Sequence, residues 1–236
     1  MHPLSEEQQH ILELVVQGKN VIVDAVAGTG KTTLVLGIAA AMKDQKILQV
    51  TYNAALRKDV QQRVSEEELP NLQVHTYHSL AKQHYLDVGY TDKEIRKALM
   101  NHVEPHNKIR TIDVLVVDEC QDMTHLYFQL LLKYLHDMKK RVQLIVLGDY
   151  KQGLYEFKGA DTRFLTMAKE FWKHSGFLRT PEIEMVTMKM SFRITNQIRE
   201  FVNNVMLGEP RMNACRDGMN VFYIRRDPRN MRSEER

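Results

Sequence analysis

The segment DAVAGTGKTTL, which begins at Asp24, has the residue types of a phosphate-binding loop. It follows the spacing G-x-x-x-x-G-K-(S/T), except that Ala25 stands at the position of the first glycine. Gly28 and Gly30 allow the backbone to fold tightly around phosphate oxygens, and the amides that open a following helix point at the anion. Lys31 is long enough to reach the outer phosphates. The segment therefore predicts a site for a nucleoside triphosphate.

An acidic motif, IDVLVVDEC, supplies the carboxylates that such a loop needs. Asp118 ends the apolar run and can hold a magnesium ion through water, together with the hydroxyl of Thr32. Glu119 follows and can orient or deprotonate a water molecule, which favours hydrolysis over transfer to a bound acceptor. The loop and the acidic pair together predict a nucleoside triphosphatase.

A third stretch, LIVLGDYKQGLYEFKGAD, also follows an apolar run. Gln152 is uncharged and can hydrogen-bond a γ-phosphate or the attacking water. Tyr155 and Phe157 come shortly after it, and aromatic side chains near a charged site are candidate stacking platforms for bases. Taken alone, aromatic residues are more often part of a core, so the stacking interpretation needs further support.

The elements that position these motifs are read from six short apolar runs, each suited to a strand buried on both faces. The runs are NVIVDA near residue 20, KILQVTY near 46, LQVHTY near 72, IDVLVVD near 112, QLIVLGD near 143 and EIEMVTM near 182. Helical patterns cover residues 31–42, 54–64, 124–135 and 196–206. Alternation of this kind predicts an α/β fold with a parallel sheet between helices. Ligands in such sheets bind at the carboxyl ends of the strands, where we expect the chemistry to gather.

Composition sets wider bounds on the function. The chain has 236 residues, of which 43% are hydrophobic, and a formal net charge of +3, which is weak evidence for a nucleic-acid partner. No apolar run approaches the roughly 18 to 20 residues of a membrane span, and the N-terminus lacks a signal-peptide pattern. Two cysteines form no disulfide framework. We therefore expect a cytoplasmic or nuclear protein with no membrane partner.

The motifs also occur in a familiar order: LSEEQQ, AVAGTGKTT, TYNAALR, HTYHSLA, VVDECQDM, LGDYKQGLYEFKGAD and MSFRITNQI. This set resembles the ordered motifs of superfamily 1A helicases, the UvrD/Rep/PcrA group, over about residues 4–205. The resemblance implies a P-loop, RecA-like ATPase domain that uses ATP and Mg²⁺. Members of that group begin their phosphate loop with alanine, so Ala25 is typical of them.

The resemblance assigns roles to individual residues. Lys31, Glu119, Gln152 and Arg193 correspond to catalytic positions: Glu119 to the base, Gln152 to the residue that couples the γ-phosphate to the DNA groove, and Arg193 to an arginine that stabilises transition-state charge. Thr32 and Asp118 correspond to the metal contacts. The predicted nucleotide contacts are Gln8, which reads the adenine edge in the family, and Ala27, Gly28, Thr29, Gly30, Lys31, Thr32 and Thr33.

A single-stranded DNA path is implied by other motifs of the same family. The predicted DNA contacts are Tyr52, Asn53, Thr76, Tyr77, His78, Tyr155, Phe157 and Lys158. Their contribution would be stacking and backbone contact with little sequence readout, and RNA is not excluded. Two positions depart from the family pattern: Phe157 stands where many relatives have Trp, and Lys158 where they have Arg. The motif TYNAALR is also one residue shorter than the family's and lacks its lysine.

The domain organisation expected from the sequence is one RecA-like domain over residues 1–207 with a short helical insertion near 86–110. Residues 208–236 read as an irregular tail, or as the start of a second RecA-like domain whose first strand is VFYI. Family members close two such domains on ATP, so we expect this chain to be a weak ATPase that needs a second domain in cis or in trans. Two alternatives stay open: a stand-alone nucleotide switch that binds single strands, and a P-loop kinase.

Overall fold

A parallel sheet forms the centre of the molecule. The computed structural model describes residues 3–87, 89 and 91–222. Its strands are β1 (Asn20–Ala25), β2 (Ile47–Thr51), β3 (Leu72–Thr76), β4 (Val114–Val117), β5 (Gln143–Gly148) and β6 (Ile183–Met188). They lie in the order β3-β2-β4-β5-β1-β6, with every neighbouring pair parallel. The predicted α/β fold is confirmed, and each strand falls on one of the six apolar runs.

Helices surround this sheet. They are α1 (Glu6–Val16), α2 (Lys31–Ala41), α3 (Ala54–Glu66), α4 (Tyr77–His84), α5 (Asp92–Met100), α6 (His125–Met138), α7 (Arg163–Thr166), α8 (Ala168–Lys173) and α9 (Asn196–Phe201). A π-helical turn, Val202–Leu207, continues α9, and 3₁₀ turns follow β4 (Cys120–Asp122) and β5 (Tyr150–Gln152, then Glu156–Lys158). Several helices begin at a Ser, Thr or Asn whose side chain accepts a backbone N–H, which satisfies part of the helix terminus.

The two faces of the sheet build two separate cores. Successive strand residues point to opposite faces, so Val114 and Val116 pack with α1, α2 and α3 on one side. Leu115 and Val117 pack with α4, α5, α6 and the α7–α8 pair on the other, where Trp172 is fully buried. Burial on both faces explains why the four inner strands read as continuous apolar runs. The edge strands β3 and β6 differ from the expectation of burial on both faces, because each has exposed residues.

The segment near residues 86–110, expected to be a helical insertion, contains one described helix, α5. Ile95 and Ala98 of α5 are buried in the same core cluster as Leu130 of α6. The remainder of the segment, apart from Val88 and Tyr90, which lie outside the described residues, is irregular. Its buried residues include Ile109. The segment thus packs as part of the central domain.

Replacing Ile95 with alanine tests this packing. Ile95 is 1% exposed, so the substitution removes buried methyl groups and leaves a cavity that should lower the free energy of unfolding by about 2–5 kcal/mol. Met100 in the same helix is 73% exposed, and Met100→Ala should change that free energy by less than about 0.5 kcal/mol. Urea denaturation of both variants measures the difference. Equal, small effects would show that α5 is not part of the folded core.

A smaller unit follows β6. Strand β7 (Met190–Ser191) pairs in parallel with β8 (Asn213–Ala214), and α9 with its π-helical turn connects them. The expected strand VFYI falls partly outside the described residues, as do all residues from 223 to 236; Val221 and Phe222 are described and are not in a strand. Within the described ranges, no helix has the length and apolar character needed to cross a bilayer.

Candidate nucleotide-binding site and strand-binding surface

The phosphate loop, residues 25–32, joins β1 to α2 and depends on two glycines. Gly28 and Gly30 have φ angles of 79° and 80°, in the left-handed region that favours glycine. A Cβ on Gly28 would lie 2.6 Å from Cβ of Arg193, and one on Gly30 would lie 2.6 Å from Nε2 of Gln8. Both positions therefore exclude a side chain, because the loop is packed closely between α1 and the segment after β6.

Ala25 occupies the position where the general loop pattern has glycine. It is the buried last residue of β1 and pairs in register with Met188 of β6. Its φ is not among the positive values of the described chain. Because β-strand backbone suits any residue, this position does not need glycine.

Gln8 holds the phosphate loop to α1. Its Nε2 donates to the carbonyl oxygens of Thr29 at 2.9 Å and Gly30 at 3.1 Å, and its Oε1 accepts from the backbone N–H of Ser5 at 2.9 Å. The side chain is buried. The contact of Gln8 with an adenine edge stays a prediction, and donation to the base would require Nε2 to leave one of these carbonyls.

The other predicted loop contacts fall into two groups. The hydroxyl of Thr29 is buried and donates to the carbonyl of Val26 at 3.0 Å, while the carbonyl of Ala27 accepts from Oγ of Ser191 at 2.8 Å. These contacts fix the shape of the loop. Thr32 and Thr33 are partly exposed in the first turn of α2, where their hydroxyls can meet a ligand.

Asp118 is buried at the end of β4 and is held from two sides. Its Oδ2 accepts from Nε2 of Gln49 at 2.8 Å, and its Oδ1 accepts from the backbone N–H of Glu119 at 2.9 Å. Burial raises the pKa of this carboxyl above its ordinary value, the charge of Glu119 raises it further, and Lys31 opposes both effects. The Asp118 carboxylate and the Thr32 hydroxyl are oxygen donors of the kind that Mg²⁺ prefers. The donor set therefore fits the expected ion.

Glu119 has a strained backbone and a restrained side chain. Its φ of 50° is a left-handed conformation that costs energy for a residue with a Cβ and is concentrated at functional sites. Its Oε2 lies 3.3 Å from Nζ of Lys31 and accepts from Nε2 of Gln121 at 2.9 Å. The turn after β4 thus directs this carboxylate toward the phosphate-loop lysine.

Asp122, the residue after Gln121, contributes to the same acidic site. Its Oδ1 is buried and has no hydrogen-bond partner among the described residues. Burial raises the pKa of Asp122 to about 6, with a further contribution from Glu119.

This pKa predicts how Asp122→Asn changes the pH dependence of stability. The unfolded carboxyl ionises near pH 3.9, so between about pH 4 and pH 6 the folded protein binds more protons than the unfolded chain. Stability contributed by this group is therefore lost as pH rises through that window. The free energy of unfolding of the variant should rise relative to wild type from pH 4 to pH 7, by on the order of 1–3 kcal/mol. Urea denaturation at each pH tests this, and a constant or falling difference would contradict it.

Gln152 is oriented by the turn after β5. Its Nε2 donates to Oδ2 of Asp149 at 2.8 Å, and the backbone N–H of Asp149 donates to Oε1 of Gln121 at 3.0 Å. Gln121 therefore connects the turn after β4 to the turn after β5. The close approach of the Gln121 side chain to the end of β5 requires glycine at position 148, because a Cβ on Gly148 would lie 2.7 Å from Gln121 Oε1.

Arg193 lies beside the phosphate loop in the segment after β7. The backbone N–H of Phe192 donates to the carbonyl of Gly28 at 2.9 Å, which fixes the position of this segment. The carbonyl of Arg193 accepts from Nη2 of Arg216 at 2.6 Å. Arg193 itself is exposed. Its backbone is thus anchored next to the loop while its guanidinium faces outward.

An aromatic surface lies past the carboxyl ends of β2 and β5. The ring of Tyr155 is 5.5 Å from that of Tyr52 and 6.1 Å from that of Phe157, measured between centroids. Lys158 Nζ lies 5.0 Å from the Tyr155 ring and 5.6 Å from the Phe157 ring. Phe157 is 79% exposed. An exposed aromatic group with a cation beside it suits bases and phosphates.

The other predicted strand contacts have structural partners of their own. Asn53 caps α3, and Thr76 caps α4. Tyr77 is buried and stacks on Tyr127 at 4.5 Å, so it supports the surface from below. His78 is half-buried, with Nε2 2.9 Å from Oδ1 of Asp92. In this arrangement Tyr77 cannot stack on a base.

Some residues of the site lie outside the motifs of the sequence. Tyr127 of α6 packs against Tyr52 and Tyr77 and donates to Asp92, so α5 and α6 both support the aromatic surface. Gln49 holds Asp118, and its polarity within the buried strand ILQVT was a signal that could have identified it. Arg211, in the stretch that reads as an irregular tail, contacts both Asp24 and Asp149.

The fold and the site together define a class. A phosphate loop after β1, an acidic pair after β4 and the Gln152 amide after β5 meet at the carboxyl edge of a parallel sheet, as in RecA-like P-loop nucleoside triphosphatase domains. The profile of the AAA domain family matches residues 8–158, which is more than half of the chain. The chain belongs to this family, and its fold is that of a RecA-like P-loop domain.

Individual relatives agree with this assignment. The ATP-dependent DNA helicases UvrD2 of Mycobacterium bovis and Mycobacterium tuberculosis are each 36% identical over 91 residues, 39% of this chain and 11% of their own length. The crystal structure of Pif1 helicase from Candida albicans superposes with a TM-score of 0.53 at 21% identity, over 82% of this chain and 41% of that one. A second Pif1 structure, from work on unwinding at forked double-stranded DNA, gives 0.50 at 17% identity over 86% and 48%. The structural likeness shows the fold.

Proposed function

We propose that this chain is the ATP-binding and ATP-hydrolysing domain of a UvrD-like DNA helicase, in which hydrolysis is coupled to translocation along single-stranded DNA. The observation that carries the proposal is the convergence of Lys31, Asp118 and Glu119 at one edge of the sheet, with Lys31 Nζ 3.3 Å from Glu119 Oε2. The similarity to the UvrD2 proteins, which are ATP-dependent DNA helicases, supports it.

The phosphate loop binds the triphosphate. Backbone amides of the loop and the first turn of α2 donate to phosphate oxygens, and Lys31 moves from Glu119 to the outer phosphates. Thr32 and Asp118 would hold Mg²⁺, which when bound neutralises charge on the β- and γ-phosphates. Release of Lys31 from Glu119 frees the carboxylate for its own role.

Glu119 acts as the general base. Its carboxylate accepts a proton from the attacking water, while Gln121 keeps it oriented through the 2.9 Å hydrogen bond. Gln152 Nε2 has two N–H groups; one donates to Asp149, and the other can donate to the γ-phosphate. Arg193, exposed beside the loop, stabilises negative charge in the transition state.

The aromatic surface binds the strand. Tyr155 and Phe157 stack on bases, Lys158 pairs with backbone phosphate, and Tyr52 and Tyr127 support them from the ends of β2 and α6. Gln152 and Phe157 both lie in the loop after β5, so a conformational change at the γ-phosphate can be transmitted to the bound nucleic-acid strand. Stacking does not select the sugar, so the surface suits RNA as well as DNA.

We further propose that a second RecA-like domain, in the same or another polypeptide, completes the motor, because translocation needs cyclic closure between two domains. Exposed apolar residues support such a partner. Phe192, next to Arg193 in the chain, is exposed, as are Ile198, Val205 and Met206 in α9 and its π-helical turn.

The test is magnesium-dependent ATP hydrolysis by the purified chain, with and without an oligothymidylate strand. Asp118→Asn, which removes the expected metal carboxylate, controls for contaminating ATPases. The proposal expects slow hydrolysis that the strand stimulates and the variant lacks. Nucleotide binding without stimulation would mean that coupling requires the second domain, and absence of nucleotide binding would overturn the proposal.

Phe157→Ala should weaken single-strand binding selectively. Loss of one stacked base costs about 1–3 kcal/mol, so the dissociation constant for oligothymidylate should rise roughly 5- to 150-fold. Phe222 is 77% exposed and lies outside the aromatic surface, so Phe222→Ala is the matched control. Fluorescence anisotropy with a labelled strand measures both. Unchanged affinity in Phe157→Ala would place the strand elsewhere.

A further inference from the structure

Arg211 is buried between two strand ends of the nucleotide site. Its side chain is 8% exposed. Nη1 and Nη2 donate to the two carboxylate oxygens of Asp24 at 3.0 and 2.9 Å, and Nη2 also donates to Oδ1 of Asp149 at 2.6 Å. Its guanidinium carbon lies 4.0 Å from the centroid of the Tyr150 ring. Burial opposes the charged form, but the two carboxylates outweigh that effect and raise the pKa of Arg211.

Hydrogen bonds with the Asn203 side chain fix the backbone around Arg211. The side-chain oxygen of Asn203 accepts the backbone N–H groups of Arg211 and Met212, both at 3.2 Å, and its Nδ2 donates to the carbonyl of Met212 at 2.9 Å. Strand β8 follows directly and pairs with β7. Lys151 Nζ and Glu209 Oε1 form a further ion pair at 3.2 Å. The Lys151–Glu209 pair and the Arg211–Asp149 hydrogen bond connect the segment after α9 to the turn that contains Gln152.

The two carboxylates that Arg211 joins belong to the two phosphate-sensing elements. Asp24 is the residue before Ala25, at the start of the phosphate loop, and it lies in register with Gly148 of the neighbouring strand β5. Asp149 is buried, and its Oδ2 accepts a hydrogen bond from Nε2 of Gln152 at 2.8 Å. Without a cation between them, the carboxylates of Asp24 and Asp149 would repel each other and move apart.

We propose that Arg211 is a positioning residue for γ-phosphate recognition: it fixes Asp149 relative to the phosphate loop, and Asp149 in turn orients the Gln152 amide. This inference rests on the proposed function, which assigns Gln152 to the γ-phosphate. It also makes the segment through residue 214 an integral part of the ATPase site. Lysine cannot replace the arginine in this role, because an ammonium lacks the planar fork that bridges two carboxylates.

The experiment compares affinity for Mg²⁺-ADP and for a Mg²⁺ complex of a non-hydrolysable ATP analogue, using the full chain. Wild type should prefer the triphosphate. Gln152→Ala should reduce that preference about tenfold by loss of a charge-assisted hydrogen bond, and Arg211→Met should reduce it similarly, with ADP affinity unchanged within about twofold. The double variant Arg211→Met/Gln152→Ala should lose no more than either single variant, because both act on one interaction.

Two further variants keep the test decisive. Arg211→Lys retains the charge and serves if Arg211→Met does not fold, as judged by thermal unfolding. Arg163 is exposed and pairs with Asp161, so Arg163→Met is a matched loss of a surface arginine that should leave the preference unchanged.

The outcomes separate the inference from the proposed function. If Gln152→Ala reduces the preference but the folded Arg211 variants keep it, or if the two effects add fully, the inference is overturned and the proposed function stands. If wild type binds no nucleotide, or Gln152→Ala has no effect, the assignment of Gln152 fails and the inference fails with it.

Discussion

Glu119→Gln is expected to bind ATP and to hydrolyse it about 10²- to 10⁴-fold more slowly than wild type. General base catalysis contributes on this scale, and an amide cannot take the proton of the attacking water. The substituted side chain keeps the size of glutamate and can still accept the hydrogen bond from Gln121, so the turn after β4 should be preserved. Removing a negative charge beside the phosphates should leave ATP affinity equal or higher.

Single-turnover hydrolysis and fluorescent-nucleotide titration separate these two effects. Glu13 is exposed on α1, so Glu13→Gln is a control for the loss of one carboxylate and should match wild type in both measurements. Hydrolysis by Glu119→Gln at the wild-type rate would show that another group activates the water. Equal loss of affinity and rate would instead indicate that Glu119 has a binding role.

The strands and the phosphate loop could be predicted because their signals are local. A parallel strand buried on both faces is a continuous apolar run, as in β4 and β5, and the chemistry begins at the residue where the run ends. Asp118 directly follows β4 in this way. The left-handed conformations of Gly28 and Gly30 also follow from residue type, because glycine adopts them without steric cost.

The partners of these residues could not be predicted, because they come from distant parts of the chain. Gln49 reaches Asp118 across 69 positions, and Arg211 reaches Asp24 across 187. Nothing in the spacing around Arg211 distinguishes it from the other arginines near the end of the sequence. Its role depends on the pairing of β8 with β7. Each of these strands has only two residues, which is too short to be predicted from the sequence.

Side-chain direction is a second limit of motif reading. Tyr77 occupies a motif position associated with the strand path, yet it begins α4 with its ring turned into the core beneath Tyr127. Gln8 likewise has the expected position, and its amide is used on the carbonyls of the loop. A motif places a residue at the site, whereas packing decides which surface its side chain meets.

Lys31→Ala is expected to reduce turnover by about 10²- to 10³-fold or more and to weaken triphosphate binding as well, because it removes a preorganised charge from the γ-phosphate. A second effect adds to the first. Lys31 opposes the rise in the pKa of Asp118 and Asp122, so its loss should favour their protonated forms and weaken binding of Mg²⁺ to the site. The variant should therefore need more Mg²⁺ than wild type to reach half-maximal nucleotide binding.

A magnesium titration of ATP binding and hydrolysis measures both effects of Lys31→Ala. Lys19, immediately before β1, forms an exposed ion pair with Glu182, so Lys19→Ala removes the same charge far from the phosphates and should behave as wild type. Because Lys31 contacts Glu119, the proposed base, and is also the proposed phosphate contact, its loss should impair metal use and turnover together, whereas Glu119→Gln should impair turnover alone. A Lys31→Ala protein with a normal magnesium requirement and only a raised KM for ATP would show that the lysine binds substrate without influencing the acidic residues around it.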